Sequence, residues 1–163
     1  MKENLTDSRD MEKAVRRALK KMAASPLNLK TARELIYRVE ERAKEMGVKA
    51  VVAVSDASGR PIAIECMDGA FIGSFDVALN KTFTSVAFQM STAELGKLAS
   101  PGGSLYGIQQ TNGGKIVIFG GGEPLYQGDE LIGAIGVSGG TAEQDTALGA
   151  YGKMIVKEVI SWK

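Results

Sequence analysis

Ser100–Thr141 reads SPGGSLYGIQQTNGGKIVIFGGGEPLYQGDELIGAIGVSGGT, four glycine clusters (Gly102-Gly103, Gly113-Gly114, Gly120-Gly121-Gly122, Gly139-Gly140) set around apolar runs. Glycine lets a backbone turn at positive φ and lets another backbone or a flat ligand come close. Short apolar strands separated by such elbows predict the wall and rim of a pocket, or, more simply, tight hairpins and a bulge. Within it, strands are expected at 115–119, 124–126 and 130–137, the last two joined by a Gln127-Gly128-Asp129 turn. Short strands adjacent in sequence argue for antiparallel hairpins over crossovers.

Working outward, Thr141-Ala142-Glu143-Gln144 is a capping box opening a final helix with the stripe Ala147, Leu148, Tyr151, Met154, Ile155, Val159, Trp162. On the other side, Ser91-Thr92-Ala93-Glu94 is a second capping box for a short helix that Pro101 ends. Before it, residues 72–90 predict a long helix. Its stripe Ile72, Phe75, Leu79, Phe83, Val86, Met90 is apolar, and its opposite side carries Val77, Lys81, Thr84 and Phe88. That second face is too apolar for water, so coverage on both sides is expected, the second by another subunit. Two strands, 48–54 and 60–67, flank an Asp56-Ala57-Ser58-Gly59 turn. A helix over 29–46 (Ala32, Leu35, Ile36, Val39, Ala43, Met46) is framed by Asn28 as N-cap and Gly47 just past its end. The order predicts an α+β fold, a central antiparallel sheet of about five strands with helices packed on it.

Residues 1–26 read as a separate extension on a body of 27–163. A helix at 7–24 places Met11, Val15, Ala18, Leu19 and Met22 on one face, with Lys13, Arg16, Arg17, Lys20 and Lys21 around them. It either packs on its own domain or a sister subunit, or docks in a partner groove.

The 163 residues suit one core-forming domain, and the net charge of +1 brings no global field for nucleic acid or membrane. One cysteine, Cys66, excludes an intrachain disulfide framework and fits a reducing cytoplasm. The start lacks a signal-peptide pattern, and no apolar run is long enough to span a bilayer. There is no histidine, which removes the commonest general base and metal ligand, excludes a Ser-His or Cys-His pair, and leaves no metal-ligand spacing.

The runs VVAVSDASGRPIAIECMDGAF, DVALNKTFTSVAF, SPGGSLYGIQQTNGGKIVIFGGGEPL and IGAIGVSGGTAEQD, in this order over about residues 27–160, resemble the GlcG/HbpS family, which includes the C-terminal domain of PduO-type corrinoid adenosyltransferases. The resemblance implies a profilin-like α/β/α sandwich, assembly into dimers, tetramers or octamers, and a small-ligand role in which haem or corrinoid (cobalamin) is the expected class. It implies no agreed enzymatic activity. Where many members carry His-Arg before Met-Asp-Gly, this chain has Glu65-Cys66-Met67-Asp68-Gly69. Imidazole ligation of haem is therefore excluded; Cys66, Met67 and the tyrosines are the remaining conceivable iron ligands, Cys66 foremost, with a core side chain at the strand end as the plainer reading of both Cys66 and Met67.

Candidate ligand-binding residues follow. Asp68-Gly69 either cap the next helix or orient a ligand at a pocket mouth. Lys81, where the resemblance places a lysine in many relatives, is an anion site if it reaches a ligand and otherwise needs a carboxylate partner or a route to solvent. Gly120-Gly121-Gly122-Glu123 forms an anion-binding nest or a bulge and turn. Gly139-Gly140-Thr141 precede a helix N-terminus, a second anion contact. The expected function is an oligomeric, non-catalytic tetrapyrrole-binding module. The alternatives are an enzyme moving protons on a small organic acid with Lys81, Asp68 or Glu123, and a cargo protein recruited to a bacterial microcompartment shell or core protein through Met11, Val15, Leu19 and Met22.

Overall fold

In the computed structural model, which describes residues 11–13, 15 and 26–161, the body begins with helix α1 (Leu29–Glu45). Asn28 caps it: its side-chain oxygen accepts from the Thr31 amide at 3.1 Å. Gly47, at φ +70°, lets the chain leave the helix in a conformation that a side chain would strain. Strands β1 (Val51–Asp56) and β2 (Pro61–Cys66) form the first hairpin. Its turn is held by Asp56, whose carboxylate accepts from the amides of Ser58 and Arg60 at 2.8 and 3.0 Å.

Helix α2 (Ser74–Phe88) and the short α3 (Thr92–Leu98) follow. The Ser91–Glu94 capping box on α3 is reciprocal, with Ser91 N donating to Glu94 at 2.9 Å and Glu94 N donating to Ser91 Oγ at 3.1 Å. Strands β3 (Gly122–Gln127) and β4 (Glu130–Ser138) make the second hairpin, and α4 (Ala142–Ser161) closes the body.

The two hairpins join into one antiparallel sheet in the order β2-β1-β4-β3. Among the described residues four strands form, where about five were expected. Residues 116–119 run without strand pairing, because their backbone is satisfied elsewhere: Val117 N donates to Thr84 Oγ1 at 3.0 Å. Helices α1 and α4 pack together on one face of the sheet and α2 lies on the other. The α1/α4 face holds the main core, with Leu35, Ile36 and Val39 against Val52, Val54, Ile135, Leu148 and Ile155.

Helix α2 departs most from the periodicity reading. Its sheet-facing side is the small and polar one, Ser74, Ala78, Lys81, Thr82 and Ser85, all buried. The apolar stripe opens to the outside at its start, with Ile72 just ahead of the helix 97% exposed and Phe75 42% exposed, while Leu79, Phe83, Val86 and Met90 are half-buried. The reason is backbone proximity: a Cβ on Gly136 would lie 2.1 Å from the Ala78 carbonyl oxygen, so helix and sheet leave no room for a bulky side chain at that crossing. Lys81 and Thr84 are thus covered by their own chain, where a second subunit was expected.

On α4 the buried stripe is Leu148, Gly152, Ile155, Val156 and Val159, while Ala147 and Met154 face out. Trp162 lies outside the described residues. So does most of the expected N-terminal helix, of which residues 11–13 and 15 are helical.

Candidate functional site

Antiparallel pairing decides which loops meet. Val51, at the start of β1, is opposite Cys66 at the end of β2 and Ser138 at the end of β4, and Gly122 at the start of β3 is opposite Gly136. The turns holding Asp68-Gly69, Gly120-Gly121-Gly122 and Gly139-Gly140-Thr141 therefore gather at one end of the sheet. The α1–β1 turn, Gly47-Val48-Lys49, joins them there.

Two cavities open at this end. The larger, about 590 Å³, is bordered by Glu40, Lys44, Glu65, Cys66, Met67 and Asp68. The smaller, about 200 Å³, lies between Gly69, Phe71, Gly139, Gly140 and Gln144. Gly47, Val48 and Lys49 line both. A bigger groove of about 740 Å³ runs along α1 past Asn28, Arg33, Tyr37 and Val159. Among the described residues its lining includes none of the expected ligand residues and no sulfur, so the sheet-end cleft is the better candidate.

Asp68 does not cap α2; the N-cap position is Gly73, which makes no side-chain cap bond. Asp68 lines the larger cavity instead. Cys66 is free and exposed on the same rim. Met67 packs against the core, its sulfur accepting from the Ala50 amide at 3.3 Å. Burial and the neighbouring Glu65 charge raise the Glu40 carboxyl above the usual carboxylate range.

Lys81 is fully buried beneath the glycine turns. Its ammonium donates to the Val137 carbonyl at 2.7 Å and to Asp145 at 2.9 Å, and lies 4.8 Å from the centre of the Phe119 ring. Burial lowers the Lys81 pKa from its ordinary value, and the adjacent Asp145 carboxylate pulls it partly back up. Asp145 spans two loops, because its other oxygen accepts from the Gly140 amide at 2.9 Å.

The triple glycine is buried and close-packed rather than open. A Cβ on Gly120 would sit 1.8 Å from Thr146 Oγ1, and one on Gly121 would sit 2.8 Å from Lys81 Nζ. Gly122 N donates to Thr92 Oγ1 at 2.9 Å. Glu123 shares a sheet face with its cross-strand partner Ile135 and meets Lys153 of α4 at 2.8 Å. That ion pair and the Asp145 pair lie about 12 Å apart along α4, at about 1.5 Å per residue. Lys81 and Glu123 therefore belong to two separate ion pairs, while Asp68 lines the larger cavity.

The amides ahead of α4 also have partners of their own. Besides the Gly140–Asp145 bond, Thr141 N donates to Gln144 at 2.9 Å and Gln144 N donates to Thr141 Oγ1 at 3.2 Å. Gly69, Gly139 and Gly140 share one cavity, whereas Lys81, Gly120, Gly121 and Gly122 are buried and line neither cavity. Lys49 escapes a motif-based reading because nothing local marks it. Only the meeting of turns brings it to the cleft.

With this geometry, the chain can be compared with known proteins. The family model described as "Haem degrading protein HbpS-like" matches residues 27–152. A Citrobacter freundii protein described as "Uncharacterized 15.0 kDa protein in dhaT-dhaS intergenic region" is 42% identical over 129 residues, covering 79% of this chain and 91% of that one. The corrinoid adenosyltransferase PduO of Citrobacter freundii is 35% identical over 132 residues, 81% of this chain but only 39% of PduO. The crystal structure of the PduOC:Heme complex is similar at 35% identity with a TM-score of 0.74, covering 76% of this chain and 90% of that one.

Proposed function

This chain belongs to the HbpS-like family, and from that premise we propose that it is a non-catalytic, oligomeric module that binds a tetrapyrrole, haem or a corrinoid, in the sheet-end cleft. The observation that carries the reading is the cleft itself: the expected residues Cys66, Asp68, Gly69, Gly139 and Gly140 border two adjoining cavities. A larger cavity of about 590 Å³ is within the usual range for small-molecule sites. The solved complex of a relative with haem supports the ligand class.

Of the sulfur donors at the cleft, one is open to iron. The chain has no histidine, and the Met67 sulfur is already engaged by Ala50. The Cys66 thiol remains on the cavity rim, and thiolate is an established class of haem ligand. Iron or cobalt chemistry would belong to the cofactor. This chain would supply the shape of the cleft, the Cys66 donor and polar contacts from Asp68 and the glycine turns.

For assembly, the outward stripe of α2 offers the contact, since Phe71, Ile72 and Phe75 are large, apolar and exposed together. A second role rests on the N-terminal segment, where Met11 is 66% and Val15 51% exposed: recruitment to a microcompartment shell or core protein. A fluorescent protein carrying residues 1–26 should then form puncta in compartment-forming cells; diffuse signal sinks this role.

Absorption titration of the full chain tests the main reading. Hemin or cobalamin should give a saturable spectral shift, and Cys66→Ala should change the hemin spectrum. No shift with either ligand refutes the proposal.

A further inference from the structure

We infer that Lys49 is the anion contact of the sheet-end cleft, and that the ligand it serves carries a carboxylate or phosphate arm. The inference rests on reading this cleft as a ligand site and adds the chemical class of what enters it. Lys81, the lysine that stands out in the sequence, is not available for the task. It is fully buried and committed to Asp145 and Val137. Phe119 covers it further.

Lys49 differs on each point. It lines both cavities, so it stands at their junction. Its stem lies across Gly69: a Cβ there would be 3.0 Å from Nζ, 3.2 Å from Cδ and 3.5 Å from Cε. The missing side chain at Gly69, together with its φ of +79°, is what lets the lysine lie over this turn. The ammonium head makes no ion pair or hydrogen bond with the described residues. Lys44, the other cation on the larger cavity, is already paired with Glu41 at 2.6 Å. An ammonium with three donors, a laid-down stem and no protein partner is suited to an incoming anion.

The two cavities also differ in size in a way that fits a ligand with a body and an arm. The larger takes the body beside Cys66 and Met67. The smaller, at about 200 Å³, takes the arm between Gly69, Phe71 and Gly139-Gly140. It adjoins the start of α4, whose dipole favours negative charge nearby.

Two titrations of the full chain test this. In amide-resolved NMR, inorganic phosphate should shift Gly69, Gly139 and Gly140 saturably in the wild type and in the surface control Lys157→Ala, but not in Lys49→Ala. In parallel, Lys49→Ala should weaken hemin by about tenfold, the scale of one charged contact, and leave hemin dimethyl ester unchanged. Unchanged phosphate shifts in Lys49→Ala, or hemin and its ester weakening equally, overturn the inference. Phosphate binding that depends on Lys49, without any hemin or cobalamin binding, upholds the anion contact and sinks the tetrapyrrole reading. Hemin binding that ignores Lys49 does the reverse.

Discussion

The two faces of the sheet are held by different physics. On the α1/α4 face, large aliphatic side chains interlock: Leu35, Ile36 and Val39 meet Val52, Val54 and Ile135. On the α2 face the buried apolar group is only Val51, Ala53 and Ala78, with Ile64 and Ala70 alongside. There the helix sits almost on the strand backbone, and its buried side chains are small or polar. The first face is stabilised by the volume it buries, the second by how closely backbones approach. The second arrangement leaves the bulky residues of α2 exposed or half-buried and encloses an ion pair.

The largest expected effect comes from adding volume to the thin face. Gly136→Val should cost more than about 4 kcal/mol or abolish folding, since even a Cβ meets the Ala78 carbonyl. On the thick face, Leu35→Ile should cost under about 1.5 kcal/mol and Leu35→Ala about 2–5 kcal/mol. Denaturant midpoints check the set. Equal tolerance on both faces would break the comparison.

The buried ion pair comes next. Lys81→Met alone leaves Asp145 buried and unpaired, and should destabilise by about 3–5 kcal/mol. The double variant Lys81→Met with Asp145→Leu should recover most of that loss, because an apolar pair has no desolvation penalty. Hydrogen exchange should still be faster at Gly140 in the double variant, whose amide loses its Asp145 acceptor. Additive losses in a double-mutant cycle would show that the two residues are not coupled.

A smaller effect on stability, but a visible one on assembly, belongs to the outward stripe. Ile72→Ser with Phe75→Ser should leave the thermal midpoint of the folded subunit nearly unchanged and shift sedimentation toward monomer. Oligomers that persist would place the interface elsewhere.

The smallest effect is a pH dependence at the α3 cap. Hydrogen bonds from the backbone and side chain of Ser91 hold the Glu94 carboxyl below its ordinary range. A depressed folded pKa means that its stabilisation is present above the unfolded value and lost as pH falls through the folded one. The wild type should therefore exceed Glu94→Gln in thermal midpoint at neutral pH, with the gap closing on acidification below the usual carboxylate range. A gap independent of pH would contradict the cap's ionic character.

The same contrast explains what was legible in the sequence. Wherever stability lies in side-chain volume, periodicity reported it: the α1 stripe is buried as read, from Ala32 to Ala43. Local chemistry was equally readable, as in the Asn28 cap, the two capping boxes and the Asp56 turn. Periodicity misled on α2, because the thin face selects small residues and so hides its buried side among Ser, Thr and Lys. Residues 115–119 look like a strand, yet Thr84, far away in sequence, takes the Val117 amide. At the cleft, Gly69 and Gly139-Gly140, all singled out in the sequence, border the smaller cavity. The partner of Lys81 lies 64 residues away and Lys49 sits in an ordinary turn, so neither role was visible locally.

The most direct test of the ligand-binding account is native mass spectrometry of the freshly purified full chain, before and after hemin or cobalamin is added. The account predicts an even-numbered assembly that retains or takes up a tetrapyrrole. A bare monomer that takes up neither would contradict it.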